Sequence, residues 1–104
     1  MTGTVLVVED QESARESLAE LLRGEGYEVH EAADGKAAMA LVNQLDLDVV
    51  LTDLTMPGAD GITVLRHIRD VSPQTLVIIM TAHASVETAV QAIRLERRTI
   101  CLSR

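Results

Sequence analysis

Aromatic side chains are almost missing: Tyr27 is the single one in 104 residues, with no Trp and no Phe. Base stacking, on which single-strand nucleic-acid binding leans, therefore has one ring to work with. Basic residues are scarce too, with 9 Lys and Arg against 16 Asp and Glu and a formal charge of −7. That balance is poor for gripping a phosphate backbone, so direct nucleic-acid binding is not expected. A single cysteine, Cys101, permits no intrachain disulfide and suits a reducing, cytoplasmic setting. No apolar run approaches the roughly 20 residues that span a bilayer. The start, Met1-Thr2-Gly3-Thr4-Val5, has no basic stretch before its apolar run, so no secretory signal is indicated.

What is present suffices for one domain, expected over residues 1–104. Hydrophobic residues make up 47% of the chain, enough for a core. Charge is uneven, since residues 1–60 hold 13 of the 16 acids and 3 of the 9 bases. Solvated helix faces account for most of that asymmetry.

Apolar patterning alternates between short continuous runs and helical periods. Thr4-Val5-Leu6-Val7-Val8 is apolar and β-branched, as a strand buried on both faces should be. Leu47 to Leu51 and Leu76 to Met80 read the same way, while Tyr27 to Glu31 alternates, as suits a sheet edge. Ala14, Leu18, Leu21 and Leu22 mark a helix behind a capping box of Ser13 and Glu16, stopped by Gly24 and Gly26. Ala37, Ala38, Leu41 and Val42 mark a second, Ile62, Leu65 and Ile68 a third ending before Pro73, and Val86, Ala89, Val90 and Ile93 a fourth. Such alternation implies a parallel sheet with helices on both faces. Strand order does not follow from it.

In open parallel sheets ligands bind beyond the carboxyl ends of the strands. The first strand runs into Glu9-Asp10, the third into Asp53, and the fourth into Thr81-Ala82. Taken singly, Asp10 reads as a helix N-cap, Asp53 as the opening of a turn through Met56-Pro57-Gly58, and Thr81 as a strand end. Taken together, three carboxylates at one sheet edge repel one another unless a cation sits among them. Oxygen ligands of this kind suit Mg2+, which keeps waters that a phosphate can replace. A carboxylate can also attack phosphorus to give an aspartyl phosphate.

Val8-Glu9-Asp10, then Asp53-Leu54-Thr55-Met56-Pro57-Gly58-Ala59-Asp60-Gly61, then Met80-Thr81-Ala82-His83 together resemble the receiver domain of two-component response regulators. The resemblance covers about residues 4–95. It implies an α/β, flavodoxin-like doubly wound sheet of order 2-1-3-4-5, with Asp53 as phosphoacceptor for a histidine kinase or phosphotransfer protein. It also implies Glu9, Asp10, Asp53 and the backbone carbonyl of Thr55 as Mg2+ ligands, and Thr81 as the switch hydroxyl. Thr55 and His83 stand where the family varies phosphoryl lifetime. Such a domain is not an enzyme beyond its own phosphorylation and dephosphorylation. Met56 to Gly61 and Ser85 to Val90 are most similar to receivers of activators that use an alternative sigma factor, which implies transcription regulation through an output domain that this chain lacks.

The family spelling stops after Leu95. Receivers continue with a short strand bearing an aromatic switch residue, then Lys-Pro and a fifth helix. Here Ile100 falls at the aromatic position and Ser103 at the lysine. The tail, residues 96–104, leaves room for a short strand over Thr99 to Leu102 and none for the fifth helix. Loss of that helix predicts bare apolar surface over the central strands, and so a homodimer or higher oligomer. A degenerate fragment that binds partners without switching is the alternative reading. A haloacid-dehalogenase-like phosphatase would need a second acid two positions after its nucleophile, where Thr55 stands. His30 and His67 are expected at the surface, and no histidine pair has metal-ligand spacing.

Overall fold

The computed structural model describes residues 3–53, 61–80 and 99–102, with side chains over 3–52 and 66–78. Elements follow the order β1 (Thr4–Val8), α1 (Glu12–Gly24), β2 (Glu28–Ala32), α2 (Gly35–Gln44), β3 (Val49–Asp53), α3 (Gly61–Val71), β4 (Leu76–Met80) and β5 (Thr99–Leu102). The fourth predicted helix lies outside the described residues. All five strands join one sheet of order β2-β1-β3-β4-β5, and every pairing is parallel. This is the flavodoxin-like arrangement, with a four-residue fifth strand at one edge.

Alternation of side chains along the strands splits the core in two. Val5, Val7, Leu51 and Ile78 face one way and pack with Leu18, Ala19 and Leu22 of α1. Leu6, Val8, Val50 and Val77 face the other way, against Ala38 and Val42 of α2 and Ile68 of α3. With helices on both sides, the inner strands carry apolar residues without a polar face. The predicted bare patch does not occur at the described positions. On the α1 side, Val49, Leu51, Leu76 and Ile78 are all at most 6% exposed.

The helix boundaries show why α1 sits where it does. Its N-cap is Gln11, whose side chain makes no capping bond, so the Ser13–Glu16 capping box is not formed. The helix starts two residues earlier than that motif requires, and Ser13 already lies inside the first turn. At the other end, Tyr27 N–H donates to Leu22 O at 3.2 Å and Gly26 N–H to Arg23 O at 3.0 Å. This crossed pair of bonds is the Schellman ending, and it needs the left-handed backbone that Gly26 supplies at φ 96°. α2 has a true cap, since Asp34 Oδ1 accepts from Ala37 N–H at 2.8 Å.

Two strand limits differ from the sequence reading. β2 begins one residue later than Tyr27, which instead packs against the α1-side cluster. β3 begins at Val49 rather than Leu47, because Asp48 is taken by a clasp to β1. There, Thr4 N–H donates to Asp48 Oδ2 at 2.8 Å and Asp48 N–H to Thr4 O at 2.9 Å. Neither His30 nor His67 stands fully at the surface. Both are half-buried, His67 Nε2 lying 2.9 Å from Asn43 Oδ1 and His30 Nε2 3.6 Å from Glu28 Oε2.

Candidate functional site

The parallel register brings the acids to one sheet edge. Val8 of β1 is level with Thr52 of β3, and Asp53 is level with Met80 of β4. One step past Val8 therefore puts Glu9 level with Asp53 on the neighbouring strand, roughly 4.8 Å away along the hydrogen-bonding direction. Thr81 is the next residue after Met80, and with Thr55 and His83 it lies outside the described residues.

Glu9 extends the β1 ladder by one bond, its N–H donating to Ala32 O at 3.0 Å. Its side chain is 1% exposed, an unusual place for a carboxylate. Glu9 Oε2 accepts from the Asp10 N–H at 3.0 Å, so the carboxylate folds back over the turn it begins. Glu9 O, in turn, accepts from Arg15 Nη1 at 2.9 Å.

Asp10 is exposed and its carboxylate has no partner among the described residues. Because Gln11 occupies the N-cap, Asp10 is not spent on capping α1. Two adjacent acids thus stand at the carboxyl end of β1 in different states, one buried and bonded, the other open. Among the described residues no three acid, imidazole or thiol side chains gather closely enough to hold a metal. In β3 the described side chains stop at Thr52, one residue short of the third acid, Asp53. A pair of carboxylates fits Mg2+, which takes one or two along with waters, and fits poorly with an all-protein cage.

Arg15 was not singled out by the sequence reading. Its signal is weak, a base five residues after Asp10 on a helix that carries several charges.

A doubly wound parallel sheet with acids at the carboxyl ends of adjacent strands puts those acids where open α/β sheets bind their ligands. The family model of the response regulator receiver domain matches residues 5–100, and the chain belongs to that family. Regulatory protein AtoC of Escherichia coli K12 is 42% identical over 90 residues, and the transcriptional regulatory protein ZraR of the same strain 44% over 90. Each match covers 86% of this chain and 20% of the relative, so the chain spans about a fifth of their length. Among solved structures, response regulator TrrA of Thermotoga maritima, in complex with Mg2+ and beryllofluoride, superposes with a TM-score of 0.78 at 28% identity. That match covers 98% of this chain and 86% of the other. The beryllofluoride-activated NtrC4 receiver domain dimer gives a TM-score of 0.76 at 36% identity, over 97% and 83%. Receivers of this family are phosphoacceptors in two-component signalling rather than enzymes in the usual sense. No helix of the described residues is long and apolar enough to cross a membrane.

Proposed function

We propose that this chain is a phosphorylatable receiver in which Asp53 takes a phosphoryl group from a histidine kinase or phosphotransfer protein. The observation that supports the reading is the pairing of Val8 with Thr52, after which β1 runs on into Glu9 and Asp10 and β3 into Asp53. An oxygen of Asp53 attacks the phosphorus of the donor phosphohistidine. The P–O bond forms as the P–N bond breaks, and the imidazole leaves with the electron pair and takes up a proton. Attack by water on the aspartyl phosphate later returns the carboxylate and free phosphate.

Glu9, Asp10, Asp53 and the Thr55 carbonyl are the residues that would hold Mg2+. When bound there, the cation offsets the charge of the phosphoryl oxygens during transfer. Buried Glu9 keeps its carboxylate folded over the turn, while open Asp10 presents oxygens to the ion or to its waters. The Thr81 hydroxyl would donate to a phosphoryl oxygen and report the phosphorylated state to the rest of the sheet. A second copy of the chain is a further partner in this reading, on the likeness to the NtrC4 receiver, whose structure is a dimer. A cytoplasmic place and an output in transcription complete it.

The direct test is intact-mass analysis after incubation with acetyl phosphate and Mg2+. One phosphoryl group is expected on the wild-type chain and none on Asp53→Asn, at low yield because Ser103 stands where the family has a phosphate-contacting lysine. Equal labelling of both chains would refute the assignment. Mg2+ should also raise the melting temperature of the wild-type chain and not that of Asp10→Asn, and equal stabilisation of both would remove Asp10 from the ligand set. An unlabelled wild-type chain that still self-associates would favour the interaction-module alternative.

A further inference from the structure

We propose that Arg15 is a positioning residue for the acid pair, and that Glu31 on the edge strand holds it in place. The proposal deepens the receiver reading and rests on it. Arg15 is held at both ends of its guanidinium. Nη1 donates to Glu9 O at 2.9 Å, and Nε lies 3.5 Å from Glu31 Oε1, with the side chains 16% and 26% exposed. A half-buried arginine with a partner on each side is unlike the solvated charges of an ordinary helix face, whose ion pairs contribute little.

The place it grips is the turn that carries the ligands. Glu9 is fixed at its N–H by Ala32 O and at its carbonyl by Arg15, one bond to β2 and one to α1. With both peptide groups held, the direction of the chain from Glu9 into Asp10 is set. That direction lets the Glu9 carboxylate accept the Asp10 N–H and leaves the Asp10 carboxylate facing outward. Guanidinium suits the task because its planar fork serves a carbonyl and a carboxylate together, which an ammonium does less well.

Glu31 supplies the other anchor. Its Oε2 lies 3.4 Å from Arg23 Nη2, which also donates to Val29 O at 3.0 Å. Two arginines of α1 therefore share one carboxylate of β2, but Arg15 alone of the pair touches Glu9. Groups that orient metal ligands without touching the metal typically change affinity by about 10- to 100-fold when removed.

The experiment measures Mg2+ affinity by calorimetry on the whole chain, with urea midpoints recorded in the absence of Mg2+. Arg15→Ala is expected to weaken Mg2+ binding by about 10- to 100-fold, and Arg15→Lys to fall between it and wild type. Arg23→Ala is expected to lower the urea midpoint and keep wild-type Mg2+ affinity, which separates positioning from plain loss of stability. A folded Arg15→Ala chain with wild-type Mg2+ affinity overturns the proposal. Should Arg15→Ala fail to fold, Arg15→Lys and Glu31→Gln decide, and wild-type affinity in both overturns it equally. If the wild-type chain shows no Mg2+ response, or Asp10→Asn binds as well as wild type, the ligand reading itself fails and takes the proposal with it.

Discussion

Two neighbouring leucines on α1 offer a sharp contrast. Leu22 is fully buried in the α1-side cluster, whereas Leu21 is 53% exposed. Truncating Leu22 to Ala removes three carbon atoms from the core, a transfer loss of about 2.4 kcal/mol at roughly 0.8 per methylene. The cavity left behind adds to this, and buried Leu→Ala changes run from about 2.7 to 5 kcal/mol. A chain of this size has total stability of about 5–15 kcal/mol, so the loss is a large share of it. A melting point lower by about 12 to 24 °C should follow for a loss of about 3 kcal/mol. Leu21→Ala should stay within about 0.5 kcal/mol of wild type, as exposed sites do. Urea unfolding followed by far-UV circular dichroism is the assay, since the chain has no tryptophan. Equal effects at the two positions, or a larger one at Leu21, would mean that α1 is turned differently on the sheet. The same result would undercut the placement of Arg15, which depends on the same helix register.

Thr75, 2% exposed, donates to Leu47 O at 2.8 Å and lies 2.6 Å from the Ser72 hydroxyl. Thr75→Val keeps its shape but strips Leu47 O of that donor, so a loss of about 1–3 kcal/mol in urea midpoint analysis is expected, and an unchanged midpoint would refute it. Sedimentation velocity over a dilution series should show dimer at micromolar concentration. A compact monomer throughout would leave the NtrC4 likeness without a counterpart in this chain.

The strands were legible where apolar residues were continuous. Thr4–Val8 and Leu76–Met80 have the limits that composition indicated, because strands with helices on both sides carry no polar positions to blur their ends. β3 was shifted by two residues, since Leu47 is as apolar as the strand but packs on the α2 side before the ladder starts. The α1 start was missed because a capping box is a local signal, and the Arg15–Glu9 bond sits across the turn instead. Asp53 was found at the end of β3, and Glu9 and Asp10 just past β1, because acids after an apolar run stand out. Strand order and the Arg15–Glu31 pairing were not legible from periodicity, as both join segments brought together only by folding. Order came from the family resemblance. Thr55 and Thr81 lie outside the described residues, so their part rests on that resemblance alone.

The clasp between Thr4 and Asp48 joins residues 44 apart in the sequence. Consider its consequence while the chain is being made. β1 leaves the ribosome first, yet β3, the neighbour that borders it on the inner side, is still unmade. At about 5–20 residues per second, that wait is roughly 2 to 9 s. Until then only β2 can pair with Val5-Leu6-Val7-Val8, so one edge of these four apolar residues stays open, with no proline or charge to interrupt them. Short segments of this kind associate readily with their like. β1, an inner strand of the finished sheet, is therefore an adhesive stretch of the nascent chain until β3 arrives. Its neighbours Glu9, Asp10 and Glu12, needed or exposed beside the site, also set a block of negative charge directly behind it. In a crowded polysome such a block of like charge opposes close contact between one growing chain and the next.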